Sequence, residues 1–99
     1  MTATGAGGMQ ISTWRKSRRF HREYDKLTVE MRDLVDQKLQ GLIKIPMPPG
    51  LEFEKLKGYS NPDIYTIHVT GSYKVSMEID SGKAFLRRVA VHNEIDRAP

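Results

Sequence analysis

Ninety-nine residues without a single cysteine bound one small domain, because two cores do not fit in a chain of this length, and they exclude disulfides, zinc ribbons and thiol nucleophiles together. Nine Lys/Arg against five Asp/Glu precede Leu51 and seven against seven follow it, so the whole net charge of +4 sits in the N-terminal half. A basic surface of that kind suits a polyanion or an acidic protein partner, and no apolar run approaches the roughly 18 residues of a membrane span.

In chain order, residues 1–10 are rich in Gly, Ala and Thr and read as a flexible leader. They lack the basic region and apolar stretch of a secretory signal, so a cytoplasmic location is expected. A single domain is expected over 11–99, opening with a short extended segment around Ile11–Trp14. Ser17 is a plausible N-cap, followed by Phe20, Tyr24 and Leu27 at helical spacing. Thr28 looks like a second N-cap with Glu30 in its first turn. Met31, Leu34, Val35, Leu39, Leu42 and Ile43 then form a stripe of period 3.6. The reading is a helical hairpin, Ser17–Leu27 and Val29–Lys44, stopped by Pro46, Pro48, Pro49 and Gly50. Beyond it the period changes to two. Ile64–Thr70, Tyr73–Asp80 and Ala84–His92 read as strands, joined at Gly71-Ser72 and Ser81-Gly82, with NEIDRAP closing the chain. The expected fold class is α+β: two helices packed on one face of a twisted antiparallel sheet of three to four strands.

A sheet covered on one side alternates apolar-in and polar-out. Tyr65, Ile67, Val69, Tyr73, Val75, Met77, Ile79, Val89 and Val91 are thereby assigned to the core. The other face, taken as open, carries His68, Lys74, Arg88 and His92, with Glu78 among them. Each has a plain structural role available: a strand lysine discourages edge pairing, and Arg88 opposite Glu78 makes a cross-strand pair. Together they are the equipment for metal-free RNA cleavage. Histidine exchanges protons near neutrality, and a lysine holds phosphate as a point charge. Two histidines without a supporting carboxylate are too few for a metal, so neither metal nor cofactor is expected. GAGG has no strand before it and no helix after it, so it is no phosphate loop. Trp14, Phe53, Tyr59 and Tyr65 form no spaced stacking motif and suit core or loop anchoring.

The run RRFHREYDKL, an amphipathic helix ending at proline, PPGLEFEKLKG, DIYTIHVTGSYKVSMEID and FLRRVAVHNEIDRAP, taken in that order, resembles the RelE/ParE superfamily of bacterial toxin–antitoxin systems over about residues 17–99. The resemblance implies a small toxin with a cognate antitoxin. It implies either cleavage of mRNA in the ribosomal A site or, for ParE-type members, poisoning of DNA gyrase. A third possibility is an inactive, antitoxin-binding corepressor. Operator DNA would be contacted only through the antitoxin, and no membrane is involved. Position by position, Thr66 and His68 fall where RelE has lysines. Lys74 falls where relatives have a phosphate-contacting arginine, and His92 where they have a catalytic arginine or histidine. Glu54 falls at a glutamate proposed as general base. Arg88 would help hold the phosphate, and Arg18, Arg19 and Arg22 would face ribosomal RNA. His68 or Glu54 would accept a proton and His92 would donate one. The chain departs from the pattern at Lys74, at Ala90-Val91, and in lacking a terminal tyrosine.

Overall fold

A computed structural model describes residues 10–99; the expected leader lies almost wholly outside the described residues. The elements run β1 (Thr13–Lys16), α1 (Arg18–Asp25), α2 (Val29–Leu42), a 3-10 turn at Pro49–Leu51, β2 (Glu54–Lys55), β3 (Tyr65–His68), β4 (Tyr73–Asp80), β5 (Lys83–Val91) and α3 (His92–Arg97). The five strands form one sheet in the order β1-β5-β4-β3-β2. The two long helices are found where the spacing predicts them, and both N-caps act: Ser17 accepts from the Phe20 N–H and Thr28 from the Met31 N–H. The β4–β5 turn is also as read, with Ser81 and Gly82 both at positive φ (53° and 79°), the backbone that a two-residue hairpin demands.

Three features differ from expectation. The sheet has five strands rather than three to four. β1 pairs in parallel with β5, from Thr13 opposite Lys83 to Lys16 opposite Leu86, and β2 adds two residues opposite Tyr65 and Thr66. The tail is not a loose end: it forms α3, which packs on β4 and β5. Finally, β5 carries a bulge. Ser76 pairs with Arg88 and Met77 with Leu86, so Arg87 is an extra residue. The bulge overturns the expected Arg88–Glu78 pair, and it is Arg87 whose guanidinium meets the Glu78 carboxylate.

α1 and α2 bury Phe20, Val35, Leu39 and Leu42 with Ile67, Val75, Met77, Leu86 and Val89 in one core. Val91, assigned to that core, is instead 37% exposed, because β5 ends there and the chain turns into α3. Among the described residues no helix is long and apolar enough to cross a membrane.

Candidate active site

His68 ends β3 directly opposite Lys74 of β4, and Lys74 lies opposite Ala90 of β5. The ladder then gains one more bond, from the His92 N–H to the Ser72 carbonyl at 2.8 Å. The period-two pattern predicts His92 as the end of the last strand; it is instead the first residue of α3. Its ring meets His68 edge to face, with centroids 4.6 Å apart and planes at 87°. Burial, and then the charges of Lys74 and His68, push the His92 pKa below the ordinary histidine value. A carboxylate that sequence reasoning missed completes the group. Glu52 Oε1 stands 3.8 Å from His68 Nε2, on a backbone in the left-handed region (φ 50°, ψ 52°). That conformation is uncommon for glutamate, and such strain often gathers at functional positions.

The expected phosphate ligands are not free. Lys74 is only 5% exposed and donates from Nζ to Asp96 Oδ1 of α3 at 2.9 Å. Arg88 is 4% exposed and wedged between α1 and α3. Its Nε donates to Glu23 Oε2 at 3.1 Å, its Nη2 to Glu94 Oε1 at 2.9 Å, and its Nη1 to the Ala98 carbonyl at 2.9 Å. The hydrogen bonds that Arg88 donates to Glu23 outweigh burial and raise the Arg88 pKa further, while Arg88 lowers that of Glu94. Glu23 can reach so far because β1 ends opposite Leu86, leaving the edge of β5 open. Its Oε1 accepts the unpaired Val89 N–H at 3.2 Å.

The polar face is therefore covered, not open as the alternation suggested. α3 buries Ile95 against it, and the Tyr59 hydroxyl donates to the carbonyls of Asp96 (3.1 Å) and Arg97 (2.9 Å). Thr66 Oγ1, Ser76 Oγ and His92 Nε2 are buried on this side with no hydrogen-bond partner among the described residues.

No protein-family model matches the sequence, and no curated protein matches it. Solved structures do. The RelE toxin in the RelB–RelE antitoxin–toxin complex of Methanococcus jannaschii is 21% identical over 85% of this chain and 98% of its own, with a TM-score of 0.62. YafQ in the Escherichia coli DinJ–YafQ toxin–antitoxin complex is 14% identical over 88% and 98%, with a TM-score of 0.69. The Helicobacter pylori protein HP0894 is 18% identical over 86% and 99%, with a TM-score of 0.62. The fold is that of the RelE toxins.

Within this RelE fold the other expected site residues are scattered. Glu54 is exposed on the edge strand β2, opposite Thr66, and makes no ion pair with either histidine. Arg18, Arg19 and Arg22 are exposed along α1, with Arg19 Nε 3.8 Å from Glu23. Two hollows flank Phe85 at the far end of the sheet, lined by Arg15, Asp80 and Lys83, and neither reaches the histidines. The RelE-type sheet thus brings together His68, His92 and Lys74, sets Arg88 two residues further along β5, and leaves Glu54 and the α1 arginines outside the cluster.

Proposed function

We propose that this protein is the toxin of a toxin–antitoxin pair and acts in the cytoplasm as a metal-independent endoribonuclease on ribosome-bound mRNA, in the A site. The observation that carries the reading is the meeting of two imidazoles with a buried ammonium, His68, His92 and Lys74, on one face of a RelE-type sheet. The reaction would be in-line attack of a ribose 2′-oxygen on the adjacent phosphate. Lys74 and Arg88 would stabilise the charge developing on the phosphate oxygens. His92, held neutral by burial and by neighbouring cations, is suited to accept the 2′ proton. His68, with Glu52 behind it, is suited to donate a proton to the leaving 5′-oxygen. These roles reverse those expected for His68 and His92, and His92 takes the proton-accepting part that Glu54 shared in that expectation. The exposed arginines Arg18, Arg19 and Arg22 would contact the ribosomal RNA backbone. The partner would be an antitoxin, as the RelB–RelE and DinJ–YafQ complexes suggest by analogy, and the basic N-terminal half suits one of acidic character.

A second reading has its own support. Lys74 and Arg88 are engaged by carboxylates, as an inactive antitoxin-binding member would allow. Expression in a translating extract separates the readings: cleaved mRNA supports the nuclease, intact mRNA with arrested gyrase a ParE-type poison, and neither effect the inactive module.

A further inference from the structure

We propose that α3 is an internal stand-in for the RNA backbone: Asp96 and Glu94 hold the places of two phosphates at Lys74 and Arg88, and RNA binds by displacing them. The inference rests on the ribonuclease reading and adds to it the way the site is regulated.

Each cation that would grip a phosphate already grips an α3 carboxylate, Lys74 that of Asp96 and Arg88 that of Glu94, both at 2.9 Å. Lys74 and Arg88 are diagonal neighbours on adjacent strands, roughly 7–8 Å apart at the backbone, the scale of one nucleotide step. Thr66 and Ser76 stand directly opposite one another on β3 and β4. Their hydroxyls, with His92 Nε2, are the three buried side-chain atoms left without a partner among the described residues. A peptide cover supplies nothing to these atoms, whereas phosphate and ribose oxygens would accept from the hydroxyls and engage the imidazole. The cover is also small, and besides its two ion pairs it is tied down at backbone carbonyls, by the Tyr59 hydroxyl and by Arg88. It is six residues long, and Ile95 is its one fully buried side chain. His92 stays in place when it leaves, because its N–H belongs to the sheet through Ser72. The hinge therefore falls after His92, between the catalytic ring and the competing carboxylates. Arg88 keeps Glu23 in either state, so the site opens with one cation freed and the other half-freed.

The test uses the full chain and a labelled 2′-O-methyl oligoribonucleotide, which binds but lacks the nucleophile. Amide hydrogen exchange of α3 is followed with and without this probe. Binding is then compared with that of an Asp96→Asn/Glu94→Gln variant and of an Asp33→Asn/Glu30→Gln control, which makes the same charge change on exposed α2. The proposal expects α3 amides to exchange faster when the probe is bound. It also expects the α3 variant to bind about 10-fold more tightly at low salt, the scale of losing two competing ion pairs, and the control less than about 2-fold more tightly, since remote exposed charges are screened. Probe binding with α3 protection unchanged or increased would overturn the inference alone, as would equal gains in the variant and the control. Failure of every form to bind would overturn both the inference and the ribonuclease reading.

Discussion

Glu23 holds Arg88 from the opposite side of the sheet edge: one carboxylate takes the guanidinium Nε at 3.1 Å and, through its other oxygen, the Val89 N–H at 3.2 Å. One side chain thus ties α1 to β5 where β1 has run out, and fixes the direction of an arginine that is almost wholly buried. Removing one partner of a buried pair leaves an uncompensated charge and an unsatisfied N–H. Glu23→Ala is expected to destabilise the fold by about 2–4 kcal/mol, read from urea midpoints. Glu94→Ala, whose carboxylate is half-exposed, should barely move the midpoint.

The second expectation follows from His92. Its pKa in the fold lies below the ordinary value of about 6.5. Above that pH the ring is neutral in both folded and unfolded chains. As pH falls, the unfolded chain takes up its proton first, so stability is lost through the window from about 6.5 down to the folded value. Urea midpoints should therefore fall as the pH drops below about 6.5, and His92→Gln should flatten that decline. If His92 accepts the 2′ proton, cleavage should weaken on the same acid side.

Much of this architecture can be read directly from residues. Ser17 and Thr28 announce their helices because a hydroxyl before an apolar stripe has a physical job there, and Ser81-Gly82 announces a hairpin. Period-two alternation from Tyr65 to Ile79 identifies the polar face, and with it His68 and Lys74. What covers that face is not legible, because NEIDR is short and polar and offers only Ile95 as an apolar contact. The bulge at Arg87 is hidden too, since two adjacent arginines satisfy either register and only the pairing to β4 decides between them. Glu52 is invisible because its approach to His68 depends on a left-handed residue after a Pro-Pro-Gly turn, which no spacing encodes. The parallel pairing of β1 with β5 joins the two ends of the domain and leaves no local trace.

Thr66 tests whether the buried hydroxyls serve function at the expense of stability. Its Oγ1 is buried without a partner, so replacing it with an apolar group of the same shape removes a desolvation penalty. Thr66→Val is expected to stabilise the protein by about 1 kcal/mol, seen as a higher thermal midpoint, while binding of the 2′-O-methyl oligoribonucleotide weakens. Destabilisation would mean that the hydroxyl has a partner in the folded protein.

Glu52 separates backbone strain from side-chain chemistry. Glycine adopts its φ of 50° without the steric penalty of a β-carbon, so Glu52→Gly should leave stability unchanged or raise it by up to about 1 kcal/mol. Cleavage should fall, because His68 loses the carboxylate beside it, but by less than the 10²-fold or more expected for losing either histidine. Glu54→Gln, on the exposed edge strand, should leave cleavage close to wild type.

The central claim is that His68, His92 and Lys74 make RNA cleave itself through its own 2′-hydroxyl. The most direct measurement is the chemistry of the ends left on mRNA in a translating extract, for the wild type and for His92→Ala, with one 2′-deoxy substitution placed upstream of the cut. The account predicts a 2′,3′-cyclic phosphate or 3′-phosphate facing a 5′-hydroxyl, no cleavage of the deoxy substrate, and a loss of about 10²-fold or more in the folded variant. Fragments with 5′-phosphate and 3′-hydroxyl ends, or unimpaired cutting of the deoxy message, would contradict it.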